Sequence, residues 1–508
     1  MLKSTRIHSK CVFLVATALV LNDGYAGAHP LNATAPTDLT TRPAALASGI
    51  GRETIALPAS GASRRARELY AQGLAQLHGY RWIEAARAFH TALRIDPDFA
   101  LAELGLVRSY EAMKDPEQAD QHLRAAANLR AKASPRDAGL ITAISLRRDA
   151  ATTGPDGPRA HAAYRAALDE LLRTHPDDVE ILLLRGNASE AVAWGKGMAG
   201  RETSLPFYEK AVRIAPDHPG ARHYLAHSYE NLGRYFDAAN EAARFARLAP
   251  RTPHARHMYA HTLPRLGKWD LAIAEFEAAA KLEQEYFREE GIPADAEWHR
   301  VHNLTLLGLA YLRVGRGEDA ERALRRAFAT SVPDPQTVTW HTAWPEFLLA
   351  HGRNQEAAAA AAKLAASENP IAAIVGTALR GEAELGAGDT AAAEASLLEA
   401  RRLRVAYGPV AAAHPMGRPM GWLAEDAIAL LAERLAFATA GKGAAGKAFE
   451  ARAAALAALP TFDGWGSGWL RIVRLERDAR NGGEVALADR LATLAGGVPA
   501  PPANNATR

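Results

Sequence analysis

Two prolines, Pro216 and Pro250, stand 34 residues apart, and each closes an apolar-periodic run, Ala-Val-Arg-Ile-Ala-Pro and Ala-Arg-Leu-Ala-Pro. Laid over that offset, Ala226 meets Ala260, Ala238 meets Ala272, Leu232-Gly233 meets Leu266-Gly267, and Tyr235 meets Trp269. Further upstream, Gly73, Ala85, Phe89, Ala92 and Pro97 follow the same order of small, small, aromatic, small and Pro. A unit of this length cannot bury its apolar face alone, so such units stack and share one continuous core. Composition agrees with that reading. Hydrophobic residues at 48% and charged residues at 23% exclude global disorder, and abundant Ala with only 7% aromatics favours helix over sheet. A net charge of +3 offers no concentrated basic surface, which argues against a nucleic-acid partner.

These positions resemble the tetratricopeptide repeat. That pattern wants a small residue eighth, Ala twentieth, an aromatic twenty-fourth, Ala twenty-seventh and Pro thirty-second. Residues 66–99 supply Gly73, Ala85, Phe89, Ala92 and Pro97; residues 253–286 supply Ala260, Ala272, Phe276 and Ala279. Residues 301–334 supply Gly308, Tyr311, Ala320 and Ala327; residues 219–252 supply Ala226, Tyr229, Ala238 and Pro250, with Ala242 in the aromatic place. The resemblance is closest over 66–133 and 219–334, extends through 338–406 and is weakest at 134–178. Residues 179–218 read as a repeat stretched around Trp194-Gly195-Lys196-Gly197, so an insertion is expected near 194–200, and a second at 283–300. The resemblance implies an all-α fold: a right-handed superhelical solenoid of antiparallel helix pairs with a concave groove. It is expected to span 64–406, with further helices, as degenerate repeats, over 407–495. Small residues fit where two helices approach closely, and Pro fits past a helix end.

The ends read differently. Lys3, Arg6 and Lys10 precede an apolar run from Cys11 to Leu21, followed by Ala26-Gly27-Ala28. This is the pattern of a signal peptide over 1–28, with cleavage before His29; the run is short for a bilayer span. The expectation is an exported chain, periplasmic or secreted, whose mature form spans no membrane. Residues 29–63 read as a flexible linker and 496–508 as a disordered tail. Cys11 is the only cysteine, which excludes a disulfide framework and cysteine-based zinc sites. Any metal must therefore bind His, Asp or Glu.

Six of the 18 histidines fall within 218–261: His218, His223, His227, His254, His257 and His261. His223 and His227 lie four apart, as do His257 and His261, so each pair shares one helix face. The two pairs are offset by the repeat. The resemblance implies that the second, fifth and ninth residues of each first helix line the groove, which puts His223, His227, His257, His261, His254 and His302 there. Glu230 follows one turn beyond His227. Imidazoles suit Zn, Cu, Fe and Ni, and nitrogen ligands in an oxidising compartment lean towards Cu or Zn. A transition-metal centre, with or without catalysis, is one reading of the groove. The other is a non-catalytic scaffold whose groove, with His218, Arg222, Arg256, Asn187 and His299, holds a peptide or an envelope protein. His-x-x-x-His here lacks the Glu of zinc proteases. Gly441 to Lys447 has phosphate-loop spacing, but Ala448 stands where Ser or Thr must hold magnesium. Trp340 and Trp344 read as core aromatics.

Overall fold

The computed structural model describes residues 37–57, 61–152, 157–190, 202–293, 298–330, 338–408, 422–439, 442–457 and 468–495. The signal peptide, the 194–200 insertion and the tail lie outside them. Among the described residues there is no strand. Helices follow one another in pairs, from Arg64–His78 with Trp82–Ile95 to Gly468–Asn481 with Val485–Leu494. The described residues form an all-α helical repeat solenoid. No described helix is long and apolar enough to cross a membrane.

The repeat positions work as their spacing requires. A Cβ on Gly73 would sit 2.3 Å from the Phe89 ring, and one on Gly186 would sit 2.3 Å from Tyr208. A Cβ on Gly308 would sit 2.7 Å from Leu324. The eighth position is thus small because the twenty-fourth side chain lies against the helix backbone there. Within-pair turns take a left-handed residue, Gly233, Gly267, Gly315, Gly352 or Gly388, which only glycine adopts without strain. Tyr80 occupies the same turn position at φ 58°, a conformation unfavourable for a side chain with a Cβ.

Residues 134–178, where the repeat pattern is weakest, still form a pair, Pro135–Thr152 with Gly157–Thr174. The 283–300 insertion is taken up largely by lengthening one second helix, Trp269–Glu290. Residues 407–495 continue the stack as Trp422–Thr439, Lys442–Ala457 and the final pair. Buried ion pairs tie these helices to the preceding ones, Arg434 and Arg474 on Glu382 and Arg471 on Glu346.

Two features depart from the sequence expectation. Residues 37–57, expected within a flexible linker, are packed as a strap with Leu39, Ile50 and Ile55 buried. Its backbone is fixed by side chains: Ala47 N–H donates to Gln72 Oε1 at 2.7 Å, and Gln72 Nε2 donates to the Ala45 carbonyl at 2.8 Å. At its far end the Gly49 carbonyl accepts from Arg251 N–H at 2.9 Å. Isolated apolar residues at 39, 50 and 55 carry no periodicity, so their burial could not be read locally.

The second departure concerns the groove, which the first helix pair covers. A Cβ on Gly220 would lie 2.5 Å from the His78 ring, so the missing side chain permits the contact. Trp82 stacks on Trp298 with ring centroids 6.2 Å apart, Arg81 lies over the Tyr286 ring, and Arg87 Nη1 pairs with Glu290 at 2.7 Å. The extended 269–290 helix therefore serves as a landing surface for the first pair.

Candidate metal centre

The closure buries the histidines. His223, His227, His254, His257 and His299 are 0–5% exposed, while His261 and His302 sit half-buried at the edge. Their helices place them as the repeat requires. His223 and His227 stack one turn apart on Pro219–Asn231, His254, His257 and His261 line Pro253–Thr262, and His299 and His302 open Trp298–Arg313. Ring centroids run continuously through the cluster: 4.8 Å for His223–His227 and His223–His254, 5.0 Å for His254–His299, and 4.7 Å for His257–His299. Tyr80 rests on His254 and His223 at 4.6 and 4.8 Å, which is what its unusual backbone conformation achieves. Trp298 and Trp340 close the other side, Trp340 lying 4.4 Å from His302. Trp344 is core, as expected; Trp340 instead walls the cluster.

Hydrogen bonds fix which nitrogen of each ring carries its proton. His223 Nδ1–H donates to the His78 carbonyl at 2.7 Å, and His257 Nδ1–H donates to Asn303 Oδ1 at 2.9 Å. Asn303 is held in turn by its own bond to the Phe276 carbonyl at 3.1 Å. His261 Nδ1–H donates to Glu230 Oε1 at 2.6 Å, and His299 Nδ1–H donates to Glu283. Each of these four rings therefore has Nδ1 committed to an oxygen acceptor, and the Nε2 of His223 is itself the acceptor of a bond from His254. Orientation of Nδ1 by a carbonyl or carboxylate is the arrangement that metal-binding imidazoles characteristically have.

The tightest convergence is His223, His227 and His254, whose candidate ligand nitrogens all lie within 4.8 Å of one another. His254 Nε2–H donates to His223 Nε2 at 3.0 Å. That leaves His254 Nδ1 buried without a hydrogen-bond partner, as is His227 Nε2. A buried polar atom without a partner costs ~1–3 kcal/mol. Burial pushes the pKa of all three down, His227 to about 4 and the other two well below the ordinary value, and neighbouring imidazoles push the same way for His223 and His254. All three are neutral at pH 7. Three neutral imidazoles whose candidate nitrogens lie within 4.8 Å of one another, two of them with an unpartnered nitrogen, are a donor set of the kind that suits a cation.

Glu230 stands one step back from that point. Burial opposes its ionisation, yet His261, the hydrogen bond from that ring, Arg265 and His227 outweigh burial and hold its carboxyl at about 2. It therefore orients His261 and lies 3.3 Å from Arg265.

A second group, His78, Glu180 and His218, also has metal-like spacing. Its hydrogen bonds are complete. His218 Nδ1 accepts the Ala221 N–H at 3.2 Å as a helix cap, leaving Nε2–H for Glu180 at 3.2 Å. His78 Nδ1 accepts from Tyr224 Oη at 3.0 Å, and its Nε2–H donates to Glu180 at 3.0 Å. Both lone pairs are used, so this triad reads as a polar staple joining the first helix pair to the fourth and fifth. It also holds the His78 carbonyl against His223.

Three residues expected in the groove lie elsewhere. Arg222 pairs with Glu241, and Arg256 pairs with Glu275 at 3.1 Å; the two pairs are related by the repeat and join each first helix to its second. Asn187 accepts from Tyr208 Oη at 2.5 Å inside its own pair. Conversely, His78, Tyr80, Glu180, Glu283 and Trp298 shape the centre without having stood out in the sequence.

The fold and site together define a helical repeat solenoid whose first pair closes over a buried imidazole cluster. No family model matches the chain, and no curated protein matches it. Among solved structures, it is similar to a human IFIT1 dimer with m7Gppp-AAAA, at 14% identity, covering 91% of this chain and 94% of that one, with a TM-score of 0.42. A tetratricopeptide repeat protein from Parabacteroides merdae matches at 16% identity over 63% of this chain and 99% of its own, with a TM-score of 0.32. PilW, a type IV pilus biogenesis factor, matches at 16% over 53% and 94%, with a TM-score of 0.26.

Proposed function

We propose that this protein is an exported metalloprotein whose solenoid closes on itself to hold a transition-metal ion, copper or zinc, between His223, His227 and His254. The observation that carries the reading is the convergence of three buried neutral imidazoles, two of which have a nitrogen with no hydrogen-bond partner. A nitrogen-only donor set suits copper and zinc and disfavours magnesium or calcium, which take oxygen ligands. Three protein ligands leave a coordination position for a small exogenous ligand. Beside His254, His299 and Glu283 there is a cavity of about 20 Å³, bordered by Tyr80, Tyr286 and Phe287, which is room for one water-sized species. The alternative of a peptide in the groove is less well supported, because a peptide would have to displace the first helix pair to reach these rings.

The test is elemental analysis of untagged protein from its native compartment. Near-stoichiometric copper or zinc, lost in His227→Ala/His254→Ala while the helical fold persists, supports the reading. Background metal with no uptake of added Cu or Zn at neutral pH sinks it. Export rests on the N-terminal pattern, and mass spectrometry of the envelope fraction tests it: a mature N-terminus at His29 supports it, and a chain found only uncleaved in the cytoplasm contradicts it.

A further inference from the structure

One ion engages three or four imidazoles, and the cluster holds seven. Placing His223, His227 and His254 around one ion leaves His257, His261, His299 and His302, whose rings form a run of contacts beside it. His299 Nε2 is buried without a hydrogen-bond partner, while its Nδ1–H is committed to Glu283. Glu283 is itself buried, and His299 is its only ionic partner among the described residues.

The geometry of the first triad recurs. Around His223, ring centroids lie at 4.8 Å to His227 and 4.8 Å to His254, with 6.4 Å between the outer two. Around His257, they lie at 4.7 Å to His299 and 4.6 Å to His302, again with 6.4 Å between the outer two. The two hubs are repeat-equivalent, 34 residues apart. Each donates Nδ1–H to an amide oxygen, the His78 carbonyl in one case and Asn303 Oδ1 in the other. In the first triangle the hub's Nε2 then lies 3.0 Å from His254 Nε2, and in the second the hub ring lies within 4.7 Å of both neighbouring rings. His254 links the triangles, its ring 5.0 Å from His299 and 5.7 Å from His257.

We propose that the centre is binuclear, with a second copper or zinc ion held by His257, His299 and His302. This rests on the first site being a metal centre. The nitrogens of the second triangle are more widely set, since the tight gathering within 4.8 Å is confined among these rings to the first triad, so loading draws the rings inward by rotation of their side chains. Glu283 supplies an anionic partner to His299, orienting the ring and offsetting the charge of the ion. Glu230 and Arg265 hold His261 at the rim, where its ring borders His257 at 5.7 Å and His302 at 6.2 Å.

The experiment is a titration of untagged apo-protein with Cu(I) against a competing chelator, repeated with Zn(II), in wild type, His299→Ala/His302→Ala and His227→Ala/His254→Ala. The expected stoichiometries are two, one and one. One ion in wild type, lost in His227→Ala/His254→Ala and kept in His299→Ala/His302→Ala, overturns the second site and leaves the first standing. Two ions in wild type, both retained in His299→Ala/His302→Ala, also overturn it. No ion anywhere removes both readings together. Should a double variant fail to fold, electron paramagnetic resonance of wild type loaded with Cu(II) decides the point. Coupled Cu(II) pairs are expected, and a purely isolated-ion spectrum at full loading overturns the proposal.

Discussion

His227 offers the sharpest perturbation, because its environment sets both the sign and the size of a pH effect. Burial holds its pKa at about 4 in the folded chain, against ~6.5 for an unfolded histidine. Above that upper value neither state carries the proton, and stability does not depend on this ring. As pH falls through the interval, the unfolded chain takes up a proton and the folded chain does not. Stability then drops by ~1.4 kcal/mol per pH unit, about 3 kcal/mol by the time the pH reaches the folded value. His223 and His254 shift in the same direction for the same reason and add to the loss over the same window. Glu230 does not mask it. Its carboxyl sits at about 2, so its contribution is lost only as pH falls below the ordinary carboxylate range. The assay is urea unfolding of metal-free protein between about pH 7 and pH 5, for wild type and His227→Leu. Wild type is expected to lose stability steeply on acidification, with the variant shallower by ~1.4 kcal/mol per pH unit. Parallel pH profiles would refute the claim that a buried neutral imidazole sits at 227.

Gly220→Val places a side chain where His78 lies, 2.5 Å from the substituted position; hydrogen exchange should show the Arg64–His78 helix losing protection, and metal uptake should weaken with it. Unchanged exchange there would mean that the first pair is not docked as described. Tyr80→Gly relieves a left-handed backbone by ~1 kcal/mol but deletes a buried ring worth ~3–5 kcal/mol, so a net loss of about 2–4 kcal/mol is expected in urea unfolding, and a stabilised variant would contradict the packing on His223 and His254.

Much of the fold was legible because it is local and repeated. Gly73 against Phe89, Ala226 against Ala242 and Ala260 against Phe276 are all 16 residues apart, and that spacing alone specifies two helices in close contact. Gly186 faces Tyr208, six residues further along than the rule, so the same small-against-aromatic contact survives a longer spacing. The histidine stripe was legible for the same reason, since four-residue spacing repeated at the period puts rings on one face. What the sequence could not show is curvature. Closure brings His78, Tyr80 and Trp82 onto residues more than 140 positions away, such as Tyr224, through contacts that no local pattern encodes. Arg222 and Arg256 adjoin His223 and His257 in sequence, which suggests the groove for them too. Neighbours along a helix point about 100° apart, and these two turn to carboxylates on their own second helices. Glu283 lies in the 283–300 insertion, on a helix that runs to Glu290, nine residues before His299.

Diffraction at the metal absorption edge, from crystals grown with copper or zinc, tests the central claim most directly. The account expects an anomalous peak ~2.0–2.1 Å from nitrogens of His223, His227 and His254. A loaded crystal whose anomalous peaks all lie on the exterior, with those three rings still bonded to one another, would contradict it.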